Sequence, residues 1–214
     1  MSTSTAASSE PGSTDISEVR RRIAGGAGAV FAGGKSVRMG VDKASLVVGG
    51  VPLARRAVSA LAATGLDPVV VIGGATGHGV ELVPDLEPGS GPLGALVTAL
   101  RYLGTDVVIL PCDLPRVSPA DVAALLDAAS AVLAEDPGID VCVVTRHGRP
   151  AFPCGWWSRT ALGPAQAAFD DGVRSIHGAL LQLGVSRIEL GRGFDDADSP
   201  DDLPGVLAWD ATDR

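Results

Sequence analysis

Short β-rich runs alternating with helical runs predict an α/β domain built on a largely parallel sheet. Three observations carry the prediction. Apolar runs such as Val107-Val108-Ile109-Leu110 are continuous, the mark of strands covered on both faces. Helical runs open on proline and stop at glycine, as in Pro92 to Leu103 followed by Gly104. At 214 residues and 46% hydrophobic, the chain has enough material for one domain with a sizeable core. Aromatic residues make up only 4%, so that core must be mostly Val, Leu, Ala and Ile.

The elements follow in order. Met1 to about Ser17 is rich in Ser, Thr and Ala and lacks the apolar stretch of a secretory signal. Residues 1–22 are therefore expected to be a disordered tail ending in the solvated run Arg20-Arg21-Arg22, with the folded domain over 23–210. Gly28 to Ala32 reads as a strand, Pro52 to Thr64 as a helix stopped by Gly65, and Pro68 to Ile72 as a buried strand. Pro92 to Leu103 is a helix and Val107 to Leu110 a strand. Ser118-Pro119-Ala120-Asp121 supplies an N-cap, a first-turn proline and an acid, and should open a helix to about Glu135. Val141 to Thr145 is a strand, Ala161 to Phe169 and Gly172 to Leu183 are helical, Val185 to Leu190 is a late strand, and Pro200 to Ala208 a last short helix. In parallel sheets ligands bind beyond the carboxyl ends of the strands. The segments after Ala32, Ile72 and Leu110 are thus where chemistry is expected.

Composition excludes several classes. The net charge is −8, which argues against nucleic-acid binding. No apolar run is long enough to span a membrane. Cys112, Cys142 and Cys154 form no CxxC pair, which fits neither a disulfide framework nor a zinc site and suits the reducing cytoplasm. His78, His147 and His177 make no ligand cluster.

The most informative segment is Phe31-Ala32-Gly33-Gly34-Lys35-Ser36-Val37-Arg38-Met39-Gly40-Val41-Asp42-Lys43. Gly33, Gly34 and Gly40 free the backbone to approach a ligand, and successive N–H groups in such a loop form an anion-binding nest. Lys35 and Lys43 are the only lysines in the chain. A Walker A loop would need glycine at Ala29, and a dinucleotide fingerprint from Gly26 breaks at Phe31, so neither fits. At Leu110-Pro111-Cys112-Asp113-Leu114-Pro115 a carboxylate stands at the end of an apolar strand. Burial there is costly unless a cation compensates, and Mg²⁺ is well suited, taking one or two carboxylates together with substrate phosphates.

The pattern A-G-G-x-S-x-R-M-G-x-D-K, with C-D-x-P at 112–115, resembles the MobA-like molybdenum cofactor guanylyltransferases and the related cytidylyltransferases. The resemblance runs from about Gly28 to Leu207. It implies a Rossmann-like three-layer α/β/α domain of the nucleotide-diphospho-sugar transferase type, with a mostly parallel sheet. It also implies that Phe31, Ala32, Gly33, Gly34 and Ser36 wrap a triphosphate, that Lys43 contacts phosphate, that Arg38 helps neutralise the leaving pyrophosphate, and that Asp113 binds Mg²⁺. Val83-Pro84-Asp85 followed by Gly91-Pro92-Leu93 looks like a loop lining the nucleotide pocket, with Asp85 accepting from guanine and Gly91 beside it. The family's base-contacting asparagine is replaced here, at Ile72 or Gly73. Phe194 to Leu203 resembles the family's N-x-N-T-P-E-D-L, with Asp196 and Asp198 where asparagines are common, so both become candidate metal ligands. Ser199-Pro200-Asp201-Asp202 is equally a plain helix start.

The implied activity is transfer of GMP from GTP to molybdopterin, an acceptor bound by the middle of the chain, where Arg149 to Pro153 falls at the family's short Pro-containing strand near the acceptor site. Trp156 and Trp157 either pack in the core or an oligomer contact, or line that pocket. CTP as donor, another phosphorylated acceptor, or a non-catalytic nucleotide-binding relative stay open as alternatives. The protein is expected to be cytoplasmic and a monomer or weak homo-oligomer.

Overall fold

Apolar strands flanked by glycine and proline meet in one seven-stranded sheet. The computed structural model describes residues 15–33 and 43–197. The strands are β1 (Ala27–Phe31), β4 (Val69–Ile72), β5 (Glu81–Val83), β6 (Val107–Pro111), β7 (Val141–Arg146), β8 (Arg149–Trp157) and β9 (Val185–Glu189), and a small hairpin, β2 (Val47–Val48) with β3 (Val51–Pro52), stands apart. The order is β5-β4-β1-β6-β8-β7-β9, and only β8 runs against the others. The carboxyl ends of β1, β4, β6, β7 and β9 therefore share one edge of the sheet.

Period-two alternation sends neighbouring residues to opposite faces. In β1, Val30 joins the core beneath α1 (Ile16–Ala24), α2 (Leu53–Ala62) and α4 (Pro119–Glu135). Ala29 and Phe31 join the core beneath α3 (Pro92–Leu103), α5 (Leu162–Asp170) and α6 (Ile176–Ala179). The result is the expected three-layer α/β/α domain. The helix over 92–103 opens and closes where proline and glycine predict. The helix over 119–135 has the full capping box, with the Ser118 hydroxyl accepting from the Asp121 N–H and the Asp121 carboxylate accepting from the Ser118 N–H.

Three expectations need correction. Residues 16–24 are not tail but helix α1, capped by Asp15, with Val19 and Ile23 one turn apart and buried. Nor is Arg22 simply solvated. Its guanidinium donates to Asp106 at 2.7 and 3.3 Å and to the Ser158 hydroxyl at 3.1 Å, tying α1 to the sheet. The segment 172–183 is not one helix: Gly172 takes φ +88, and Ser175 caps the short α6, followed by a 3₁₀ turn over Leu180–Gln182. Of the two readings for Trp156 and Trp157, core packing is the one observed: at 1% and 0% exposure they fill the two cores from opposite faces of β8. The helix expected over 200–208 lies outside the described residues.

Candidate active site

Three stretches far apart in sequence meet at the carboxyl edge of the sheet. β1 and β6 pair in register up to Phe31 and Pro111, and the Cys112 N–H donates to the Phe31 carbonyl at 3.0 Å. That bond aligns the exit of β6 with the start of the glycine loop and leaves Asp113 half-buried one residue on. Lys43 returns from the loop on a 3₁₀ turn. Its Nζ donates to Asp113 Oδ2 at 3.2 Å and to the Ala197 carbonyl at 3.0 Å. The Ala197 N–H donates to the Asp113 carbonyl at 3.0 Å and closes the ring. Lys43 and Asp113 side chains are 17% and 21% exposed, accessible to a ligand yet partly shielded from water, where charge interactions are stronger than on an open surface.

A second carboxylate stands nearby. The Cys154 thiol is fully buried; that burial holds its pKa well up, and the charges of Asp113 and Asp196 push it further. Asp196 also directly precedes Ala197, whose backbone bonds to both Lys43 and Asp113. Among the described residues no group of three or more His, Cys, Asp or Glu could form a protein-only metal cage. Mg²⁺ does not ask for one, because one or two carboxylates suffice when phosphate oxygens and water complete its shell. Asp113 and Asp196 fit that requirement.

The other wall is backbone. Gly73, at φ +69, follows β4, and its N–H donates to the Val83 carbonyl. A Cβ on Gly73 would stand 3.1 Å from the Gly33 Cα and 3.2 Å from Asp85 Oδ2. Gly33, Gly73 and Asp85 therefore converge without room for a methyl group. Burial raises the Asp85 pKa, and the Thr98 hydroxyl, 3.5 Å from Oδ1, offsets part of the rise. The Leu86 N–H donates to the same hydroxyl at 3.3 Å, which fixes the loop carrying Asp85. Gly91, at φ +85, lies against the Arg174 carbonyl, which also accepts from the Leu93 N–H at the start of α3.

The expected residues are thus distributed unequally. Lys43, Asp113 and Asp196 gather at one wall, and Gly33 and Asp85 meet at another. Phe31 and Ala32 are buried at 7% each, so only their backbone is available to a nucleotide. Gly91 borders the start of α3. Gly34, Ser36, Arg38 and Asp198 lie outside the described residues. Sequence reasoning marked Gly73 only as a position where the family's asparagine is replaced, and it missed Thr98 and Arg146, at the end of β7, which have no local signature.

Beyond β8, on the face of α5 and α6, lies a hollow of about 320 Å³. Phe152 and His177, edge to face at 6.3 Å, stand on its wall together with Pro150, Val143 and Arg187. Pro150 and Phe152 come from the segment expected to flank the acceptor.

Comparison with known proteins identifies the family and the fold. The MobA-like NTP transferase domain matches residues 28–183. The molybdenum cofactor guanylyltransferase of Rhizobium johnstonii is 33% identical over 199 residues, spanning 86% of this chain and 92% of that protein. The same-named protein of Rhizobium leguminosarum bv. trifolii is 32% identical over 212 residues, spanning 92% and 97%. Among solved structures, molybdopterin-guanine dinucleotide biosynthesis protein A from Archaeoglobus fulgidus superposes with a TM-score of 0.67 at 22% identity, over 82% of this chain and 94% of that one. The 2-C-methyl-D-erythritol 4-phosphate cytidylyltransferase from Thermus thermophilus gives 0.61 at 21% identity, over 84% and 95%. The two structures share the fold. From the family match and the Rhizobium relatives together, the chain belongs to the MobA-like NTP transferase family.

Proposed function

We propose that this protein transfers GMP from GTP to the terminal phosphate of a molybdopterin-type acceptor and releases pyrophosphate. The observation that carries the reading is the ring of Lys43, Asp113 and Ala197 at the carboxyl edge of β1 and β6, at the exit of the glycine-rich loop. The guanylyltransferase relatives support the choice of donor and acceptor.

The residues divide the work as follows. Asp113, with Asp196 beside it, would hold Mg²⁺, which when bound offsets triphosphate charge and the charge building on pyrophosphate. Lys43, paired with Asp113 here, would offer its ammonium to phosphate, and Arg38 and the N–H groups around Gly34 and Ser36 would add further positive charge. Asp85 accepts from the N1–H and N2–H₂ of guanine, with Gly33 and Gly73 close enough to give the base a flat backbone seat. The acceptor's ring system lies in the hollow by Phe152 and His177, on the β8-β7-β9 half of the sheet. Its phosphate is ionised near neutral pH, so attack needs alignment and charge neutralisation rather than a strong base. The free, buried thiols agree with a cytoplasmic protein, and we take it to be a monomer or weak homo-oligomer acting without nucleic acid or membrane.

The test is pyrophosphate release from each of the four nucleoside triphosphates, with molybdopterin and Mg²⁺, by wild type and by Asp113→Asn. Release selective for GTP and absent from the variant is expected. Equal release from CTP would move the protein to the cytidylyltransferase branch, and full activity of Asp113→Asn would remove that residue from the site.

A further inference from the structure

The mechanism above leaves the cation at the end of β7 unused. Arg146 ends β7, away from the glycine loop, and its side chain is only 14% exposed. Its Nε donates to Asp195 Oδ1 at 2.7 Å, its Nη1 donates to the Leu190 carbonyl, and Nη1 stands 3.6 Å from Glu189. All three partners lie in the segment 189–195 that leaves β9 and crosses the carboxyl edge of the sheet. Beyond them Phe194 is buried in the core at 1% exposure, and the Gly193 backbone lies against the Asp121 carboxyl group at the start of α4. The next two residues are Asp196 and Ala197. Ala197 is the residue whose carbonyl accepts from Lys43 and whose N–H donates to the Asp113 carbonyl.

A planar fork holding two points of one segment restricts both its position and its direction. We propose that Arg146 is a positioning residue: by clamping the strap 190–197 it sets Asp196 against Asp113 and holds the Ala197 backbone that orients the Lys43–Asp113 pair. The inference rests on the nucleotidyl-transfer reading for its catalytic consequence but on geometry alone for the placement of the strap. Arg146 touches neither phosphate nor metal; it acts through Asp195. A general structural arginine would affect stability and leave metal affinity alone, whereas a positioning residue must alter both metal affinity and turnover.

The experiment is a double-mutant cycle over Arg146→Gln, Asp195→Asn and the pair, with Arg146→Lys as the conservative variant. Mn²⁺ affinity of the GTP-loaded protein is measured by electron paramagnetic resonance, and kcat and KM for GTP by pyrophosphate release. Residues that orient metal ligands typically control affinity or activity by about 10- to 100-fold. Each single variant should weaken Mn²⁺ binding and lower kcat by about that factor. KM for GTP should rise by less than kcat falls, because the proposed base contact at Asp85 lies on the other wall. The double variant should be no worse than the weaker single, and Arg146→Lys should recover only part of the loss, since an ammonium cannot fork. Should Arg146→Gln fail to fold, Asp195→Asn carries the test alone, as that side chain is 28% exposed and its amide keeps the shape. Unchanged Mn²⁺ affinity in folded single variants, or losses that add in the double, would overturn the proposal. Absence of pyrophosphate release in wild type would instead count against GMP transfer, and the Mn²⁺ cycle would still decide the role of Arg146.

Discussion

Adding one methyl group at Gly73 probes the base-side wall. Gly73 has φ +69, where an L-residue costs about 1–2 kcal/mol more than glycine. The new Cβ would also meet the Gly33 Cα at 3.1 Å and the Gly33 N at 3.2 Å. Both are backbone atoms, and carbon contacts are optimal at about 3.5–4.0 Å. Overpacking of this kind adds about 1–3 kcal/mol. Gly73→Ala should therefore cost about 2–5 kcal/mol, or roughly 4–20 °C in Tm at about 2–4 °C per kcal/mol for a chain of this size. Gly65→Ala is the internal control. Gly65 has φ +86 but nothing within 4 Å of the added Cβ, so it should cost only the backbone share, about 1–2 kcal/mol. Thermal unfolding of both variants, with GTP affinity measured beside it, separates the terms. Gly73→Ala should be the less stable and should bind GTP more weakly, because Asp85 is displaced as well. If the two variants unfold at the same temperature and Gly73→Ala keeps wild-type GTP affinity, the close approach of Gly33, Gly73 and Asp85 is refuted.

Other outcomes follow from the same geometry. Lys43→Met should weaken GTP binding, by about 1.5–3 kcal/mol for a charge-assisted bond to phosphate, in calorimetric titration; unchanged affinity would detach Lys43 from the triphosphate. Asp85 is held above its ordinary value of 3.8 by burial, so its charged form costs stability at neutral pH and protonation on acidification relieves that cost. GTP affinity, which needs the carboxylate, should begin to fall at a higher pH than an ordinary aspartate allows, and Asp85→Asn should abolish that dependence along with the preference for guanine. Asp195 is held below 3.8, chiefly by its bond from Arg146, so its contribution to stability is present above that pH and is lost as pH falls through the lower folded value. Denaturant midpoints of wild type and Asp195→Asn should therefore differ at pH 6 and converge in stronger acid. The Cys142 thiol is pushed up to about 12 by burial, so native protein should resist thiol reagents at pH 8 at this position and react after unfolding.

The elements legible in the sequence were those whose signals are local. Ser118-Pro119 with Asp121, and Pro92 with Gly104, each carry a start or a stop within one turn of the helix they bound. Helix α1 was hidden because Arg20-Arg21-Arg22 reads as a solvated run, while the partner that docks Arg22, Asp106, is 84 residues away. Strand β8 was legible only in part, as the short Pro-containing strand that the resemblance implies over 149–153; Pro150 and Pro153 ordinarily break a ladder, and here the pairing with β7 shifts register between Val143 and Thr145, so the interruption falls in an irregular stretch. At the site, the loop and Asp113 were readable because each sits directly after an apolar strand in a recognisable motif. Thr98 and Arg146 were not readable, since what matters in each is a contact to Asp85 or Asp195 that only the fold creates.

The most direct measurement is thermal stabilisation of wild type and Asp113→Asn by GTP, CTP, ATP and UTP, each with and without Mg²⁺. Mg²⁺-dependent stabilisation of the wild type, selective for GTP and lost in Asp113→Asn, is the predicted result. Stabilisation by none of the four, or an equal shift in the variant, would contradict a triphosphate and metal site at the carboxyl edge of β1 and β6.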